Sequence, residues 1–535
     1  MFARRLLVMA GSIAVIGGLV GVPVDAMAEG VKYLRFHADG KSSYGILDGD
    51  RVRRLSGDLF GEWAETDSTY PLNEVEILVP TKPSKVFALA GNYRDHLGDR
   101  DPPEYPQPFY KLPSCLIAHG ANVVQPPDTA PVHFEAEIVI VIGKRAKNVS
   151  KEDALDYVLG ITCGNDISAR VWQSGDTQWW RGKASDTFGP VGPFIASGID
   201  YANVSMELRL NGKVRQKTNS ANLIHDIPTT VSFISKHCTL EPGDLIYTGT
   251  TGKTHGMYPG DVVEVEIENV GTLRNQIVGP IKYARFQVDG EARYGVVEGD
   301  VIRAISGTPF GDWKKTDTTY AHHEVQILAP TKPSKVFALA GNYLDHLGDT
   351  EPPAYPEPFI KLPSCLQRHG GPIVQPGDTD PVHYEAEVVV VIGKRAEKVS
   401  VEDALDYVLG VTCGNDVSAR VWQRADTQWW RAKASDTFGP CGPYIASGID
   451  YANLAMELRL NGEVRQKTNT KNLIHDIPTV VSFISHHTTL LPGDLIFTGT
   501  PGRTKGMKPG DIVEVELEGV GILRNPIISA ENAGE

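Results

Sequence analysis

The sequence has no basic run of any length, and its formal net charge is −14 over 535 residues. A general nucleic-acid or anionic-membrane binder carries a basic face, so both classes are excluded. A small anionic substrate is not, because a metal ion and a few local cations can dominate one pocket. Cysteine is scarce, with six in the chain, and their spacing shows neither a disulfide framework nor a thiolate metal cluster. Most of them read as small buried hydrophobes. Low-complexity linkers are missing where a domain boundary is expected. Glycine and proline are plentiful instead, 54 and 36 residues, which favours turns and short strands over long helices.

The first 28 residues stand apart. Arg4 and Arg5 are followed by an apolar stretch from Leu6 to Val22, and Ala26-Met27-Ala28 ends the segment. This is the layout of a secretory signal peptide, and it predicts an exported, periplasmic protein with no membrane contact after cleavage. The other reading is an uncleaved anchor, since the run is near the minimum for a membrane span.

The rest of the chain is a duplication. Residues from about Val31 to Pro280 recur from Ile281 onward at a constant offset of 250. Lys85–Tyr93 returns as Lys335–Tyr343, and Asp186–Pro190 returns as Asp436–Pro440. The unit is far longer than a solenoid repeat, so each copy is a domain-sized piece. Each opens with a small β meander, 29–80 and 281–330, and continues into a larger part, 81–280 and 331–535. Short helices are predicted from Ser150, where Asp153 completes a capping pattern, over Ser168–Gln173, and over Thr229–His237. The fold class is therefore a β-rich α+β protein with mixed β-roll or open-barrel domains. The short junction at Ile277–Lys282 predicts that the two halves pack as a pseudo-dimer.

The chemistry centres on His133-Phe134-Glu135-Ala136-Glu137, which runs into the apolar stretch Ile138–Ile142. On a strand, Glu135 and Glu137 share a face, and two neighbouring buried carboxylates call for a cation. Asp166, closing the apolar strand through Cys163-Gly164-Asn165, supplies a third oxygen. Such a set suits a hard cation, Mg²⁺ first, with Mn²⁺ or Ca²⁺ as alternatives. A solvated strand end with surface partners is the plainer reading. His133 lies on the same face, where a supporting hydrogen bond is a commoner role than zinc ligation. Arg170 and Gln173 follow on one face of a helical turn, positioned to grip a carboxylate or keto oxygen. Lys183, flanked by aromatic residues, suits stabilisation of an enolate. Taken singly, Arg170 and Lys183 read as surface residues.

In order along the chain stand Gly91-Asn92-Tyr93-x-x-His96, Pro108-Phe109-Tyr110-Lys111, His133-x-Glu135-Ala136-Glu137, Gly164-Asn165-Asp166-x-Ser168-Ala169-Arg170-x-x-Gln173, Lys183-x-Ser185-Asp186-Thr187-Phe188-Gly189-Pro190 and Gly243-Asp244-x-Ile246-x-Thr248-Gly249-Thr250. Together they resemble the fumarylacetoacetate hydrolase family, over about Lys85–Val278 and Lys335–Ile528. The tandem layout is similar to that of two-domain decarboxylase/isomerases of aromatic-ring degradation. The resemblance implies Mg²⁺ on Glu135, Glu137 and Asp166, and on Glu385, Glu387 and Asp416. It implies a general base at His96 and His346 on a lid, assisted by Asp99 and Asp349 where hydrolytic members carry Glu. Lys183 and Lys433 would stabilise the oxyanion, and Arg170, Gln173, Thr250, Arg420, Gln423 and Thr500 would contact substrate. The implied substrates are small anionic 2-oxo or 2-hydroxydienoate acids undergoing C–C hydrolysis, decarboxylation or isomerisation. The rival from another class is an exported, non-catalytic oxo-acid-binding or scaffold protein. Copy two has Pro501 where copy one has Thr251, which predicts a softer substrate loop in copy one.

Overall fold

The computed structural model describes residues 30–126, 129, 131–379 and 381–532. The amino-terminal segment with the signal-peptide pattern lies outside the described residues. Among the described residues, no helix is long and apolar enough to cross a membrane.

In each copy, a large mixed sheet faces a five-stranded sheet across one core. In copy one the large sheet runs Trp63–Pro71, Arg51–Gly57, Lys41–Asp48, Val31–Ala38, Gly189–Ser197, Val158–Asn165, Ala136–Ile142, Leu245–Tyr247, Val86–Leu89, Pro108–Lys111. The neighbours Leu245–Tyr247 and Val86–Leu89 are parallel. The smaller sheet runs Lys213–Asn219, Ser205–Leu210, Val262–Ile267, Gly271–Val278, Asn122–Val124. Copy two repeats the arrangement strand for strand.

Strand Ala136–Ile142 is buried at every residue, which explains its unbroken apolar run. Ile138, Ile140 and Ile142 enter the core between the sheets, with Met206, Leu208, Val263, Val265 and Leu273. Val139 and Val141 face the other way, against Val86, Ala88, Leu245 and Tyr247. By this alternation Glu137 leaves the backbone on the side of Val139. Gly164, paired across from Glu137, is a close-approach glycine. A Cβ there would lie 2.3 Å from Val139 Cγ2 and 2.7 Å from the Tyr247 ring.

The opening strands join the main sheet, and three helix expectations are revised. Val31–Ala38 of the opening meander pairs antiparallel with Gly189–Ser197 and so extends the main sheet. The helix expected from Ser150 is a turn followed by a 3₁₀ segment, Ala154–Tyr157, and Val158 already begins a strand. The capping hydrogen bond from Asp153 N to Ser150 Oγ is present at 3.1 Å, but a cap starts a helix without setting its length. The helix near Ser168 spans Arg170–Gly175. The helix Ile227–His237 starts two residues earlier than expected, capped by Asp226 accepting from Thr229 N at 2.8 Å.

All six cysteines are free, and all but the half-buried Cys238 are buried. The copies join through two residues, Gly279 and Pro280, between strands Gly271–Val278 and Ile281–Val288. They also touch through Lys315, which is 2.8 Å from Asp261, and through the Lys213–Asp317 pair at 2.6 Å.

Candidate active site

Glu135 immediately precedes the central strand, Glu137 lies in its first turn of pleat, and Asp166 follows the neighbouring strand. Antiparallel pairing of Glu137 with Gly164 brings the three carboxylates together. One oxygen from each lies within 4.8 Å of the others, and all three residues are buried. The same holds for Glu385, Glu387 and Asp416.

Three buried or half-buried cations surround the group. Lys183, 2 % exposed, donates to Glu135 Oε2 at 2.6 Å and to Asp166 Oδ2 at 2.7 Å. Its ammonium lies 5.5 Å from the centre of the Phe109 ring. Arg170 bonds Glu135 Oε1, donates to Thr254 Oγ1 at 3.0 Å, and reaches Gln173 Oε1 at 2.6 Å. Lys111 donates to the other oxygen of Asp166 at 2.6 Å, to Phe188 O at 3.1 Å, and to Lys183 O. Thr187, beside Phe188, has a left-handed φ of 70°, rare for a β-branched residue. Its hydroxyl accepts from Val124 N at 2.9 Å.

The electrostatics divide the two glutamates. Burial pushes the Glu135 carboxyl up, but Lys183 and then Arg170 outweigh it and hold it at about 2. Glu137 is pushed well above the usual range by burial, then by Asp166 and Glu135. It forms no ion pair among the described residues, and Gly249 N–H donates to it at 2.5 Å. Burial lowers Lys183, and its two carboxylate partners more than restore it, leaving it raised. A buried carboxylate with no cation of its own, beside two others and built wholly of hard oxygen donors, fits a divalent ion.

Above the floor opens a cavity of about 400 Å³. Glu135, Arg170, Gln173, Lys183, Thr250 and His96 line it, with Phe109 and Trp179. The equivalent cavity of copy two holds about 330 Å³ and is lined by Glu385, Arg420, Gln423, Lys433, Thr500 and His346. The short helix Arg94–Leu97 carries His96, whose Nδ1 lies 2.7 Å from Gly252 O. His346 makes the same contact with Gly502 O at 2.6 Å. Asp99 and Asp349 are not brought in. Both are exposed, neither lines a cavity, and no hydrogen bond joins either to its histidine among the described residues. The geometry of an assisting acid is thus absent in this conformation, with Gly252 O and Gly502 O in its place.

The loop at Thr251 departs from expectation. Gln216 holds the loop through Thr250 Oγ1 at 3.0 Å and Thr251 O, as Gln466 does in copy two. Thr251 Oγ1 also donates to Asp95 Oδ2 at 2.6 Å, tying loop to lid, and Pro501 has no such donor. The copy-one loop, expected to be softer, has an anchor that copy two lacks. His133 supports the site at one remove, with Nδ1 3.4 Å from Thr254 Oγ1.

Sequence reasoning assigned no role to Lys111, Thr254 or Gln216. Lys111 recurs as Lys361, 2.6 Å from Asp416, but near-identity of the copies makes recurrence a weak signal.

The description "Fumarylacetoacetate (FAA) hydrolase C-terminal" matches residues 85–278 and 335–528, and "Rv2993c-like, N-terminal" matches 31–80 and 281–330. The 4-hydroxyphenylacetate degradation bifunctional isomerase/decarboxylase of Salmonella dublin is 32% identical over 465 residues, covering 84% of this chain and 99% of that protein. A fumarylacetoacetate hydrolase domain-containing protein 2 homolog of Dictyostelium discoideum is 37% identical, over 39% of this chain and 75% of its own. Among solved structures, 2-hydroxyhepta-2,4-diene-1,7-dioate isomerase from Mycobacterium marinum shares 38% identity over 47% of this chain and 99% of that one, with a TM-score of 0.44. Maleylpyruvate hydrolase from Sphingobium sp., in complex with manganese(II) and pyruvate, shares 29% over 46% and 99%, with a TM-score of 0.40. The matched domain occurs twice and fills most of the sequence, and the chain belongs to the fumarylacetoacetate hydrolase family as a tandem, two-domain member.

Proposed function

We propose that the chain is a divalent-metal-dependent enzyme acting on 2-oxo or 2-hydroxydienoate carboxylic acids through an enolate, in the catabolism of aromatic compounds. The observation that carries this reading is the cavity floor. There Lys183 stands 2.6 Å from Glu135 and 2.7 Å from Asp166, beside Glu137, which has no cation of its own. Glu135, Glu137 and Asp166 would hold Mg²⁺ or Mn²⁺, and the bound ion would draw electron density from the substrate's 2-oxo carboxylate.

The remaining work falls to the side chains. Arg170 and Gln173 orient the substrate carboxylate. His96 takes a proton from water, for hydrolysis, or from carbon, for isomerisation. In hydrolysis the water oxygen bonds to the acyl carbon, which departs as a carboxylic acid; in decarboxylation carbon dioxide departs, and in isomerisation a proton passes to His96. In each case the electron pair left on the carbon next to the 2-oxo group moves to the 2-oxo oxygen. Lys183 balances that charge from a water-poor site, where a fixed cation acts most strongly. A proton returned to carbon completes the cycle. Export directed by the first 28 residues belongs to the same proposal, and fractionation of cells producing the full chain tests it.

The expected result for Glu135→Ala combined with Glu385→Ala is loss of turnover of acylpyruvates and hydroxydienoates in the presence of Mg²⁺. Undiminished turnover by the double variant refutes the metal assignment.

A further inference from the structure

The two cavities share a floor and differ at the rim. On the floor, Glu135, Arg170, Gln173, Lys183 and Thr250 have identical counterparts in copy two. At the exposed rim, Arg100 of copy one is replaced by Thr350, and Gln107 by Glu357. Asp101 and Glu351 carry the same charge and cancel in the comparison. The rim of copy two is therefore more negative by two unit charges. Arg100 is held at the mouth by its own Nε, which donates to Leu97 O at 3.1 Å. Among the described residues no other hydrogen bond or ion pair holds its guanidinium, so the remaining donors are open to a ligand.

We propose that Arg100 selects substrates with a second carboxylate at the end remote from the 2-oxo acid, and that copy two, with Thr350 and Glu357, disfavours them. This rests on the functional reading above, which places the 2-oxo carboxylate on the floor. A dianionic chain anchored there extends toward the rim. In copy one it meets a guanidinium, and in copy two a carboxylate. Like charges at close range penalise the wrong ligand as effectively as the right partner rewards the correct one. One chain would thus carry a dicarboxylate site and a monocarboxylate site built on one catalytic floor.

The test uses the full chain with one copy silenced: Glu385→Gln silences copy two so that copy one is read, and Glu135→Gln does the reverse. Turnover is compared for 2-hydroxyhepta-2,4-diene-1,7-dioate and for its seven-carbon analogue lacking the distal carboxylate. Copy one should favour the dianion by about tenfold in kcat/KM, the order expected for one charged hydrogen bond at an exposed site. Arg100→Thr should abolish that preference by raising KM for the dianion about tenfold. Thr350→Arg with Glu357→Gln should install it in copy two. Calorimetric binding of 2-oxoadipate and 2-oxohexanoate with Mg²⁺, to chains carrying the same variants, reads the preference without turnover. Equal handling of both compounds by copy one, or a preference that survives Arg100→Thr, overturns the inference while leaving the functional reading intact. Absence of both turnover and probe binding in the unsubstituted chain overturns the functional reading, and this inference with it.

Discussion

Copy one and copy two carry one charge network at the floor and two different mouths above it. Lys183 and Lys433 stand at the same 2.6 Å and 2.7 Å from their carboxylates. Lys111 and Lys361 both approach an aspartate to 2.6 Å. At the rim, charge and loop anchoring diverge. The difference shows where each kind of position is constrained. A buried ion network fails if one member changes, because the partner is left charged and unpaired. An exposed rim residue changes at little cost to folding, so selectivity can drift there while the chemistry stays fixed.

The largest effect is expected inside the network. Lys111→Met leaves Asp166 short of one partner and should cost about 3–5 kcal/mol, as breaking a buried pair does. Lys361→Met should cost the same, and urea unfolding of both variants measures it. A large inequality between them would break the equivalence of the two floors.

Next comes the lid. His96→Ala and His346→Ala should each lower turnover in its own copy by roughly 10²–10⁴, the usual share of a positioned general base. With the other copy silenced, steady-state kinetics assigns each substrate to its copy. A variant that loses nothing shows that its copy is idle.

The smallest effect concerns the loop. Thr251→Pro removes the bond to Asp95 and should weaken lid anchoring by about 1 kcal/mol, the net worth of one hydrogen bond. Hydrogen exchange over Arg94–Leu97 should quicken in copy one and approach that of the same segment in copy two. Unchanged exchange would mean that the Thr251 bond does not hold the lid.

Much of the site was legible before the fold was. Strand periodicity puts Glu135 and Glu137 on one face, and the structure brings both together with Asp166 as buried carboxylates. Lys111 gave no such signal, because nothing local distinguishes it from a lysine on an edge strand. Its burial is imposed by Asp166, 55 residues away, and by the carbonyls of Lys183 and Phe188. Joining of the opening meander to the main sheet was hidden for the same reason, since Val31 pairs with Ser197. At Ser150 the local signal fixes the cap and not the length of the segment that follows. The capping bond formed, and the strand from Val158 cut the helix short. Asp99 matched a position in a motif, and position in a motif does not fix where a side chain points.

One divalent cation on three buried carboxylates in each copy is the premise on which the proposed chemistry rests. Calorimetric titration of the metal-stripped full chain with Mn²⁺ tests it most directly. Two ions per chain are expected, one after Glu137→Gln, and none after Glu137→Gln with Glu387→Gln. Two ions bound with unchanged affinity by the double variant would contradict it.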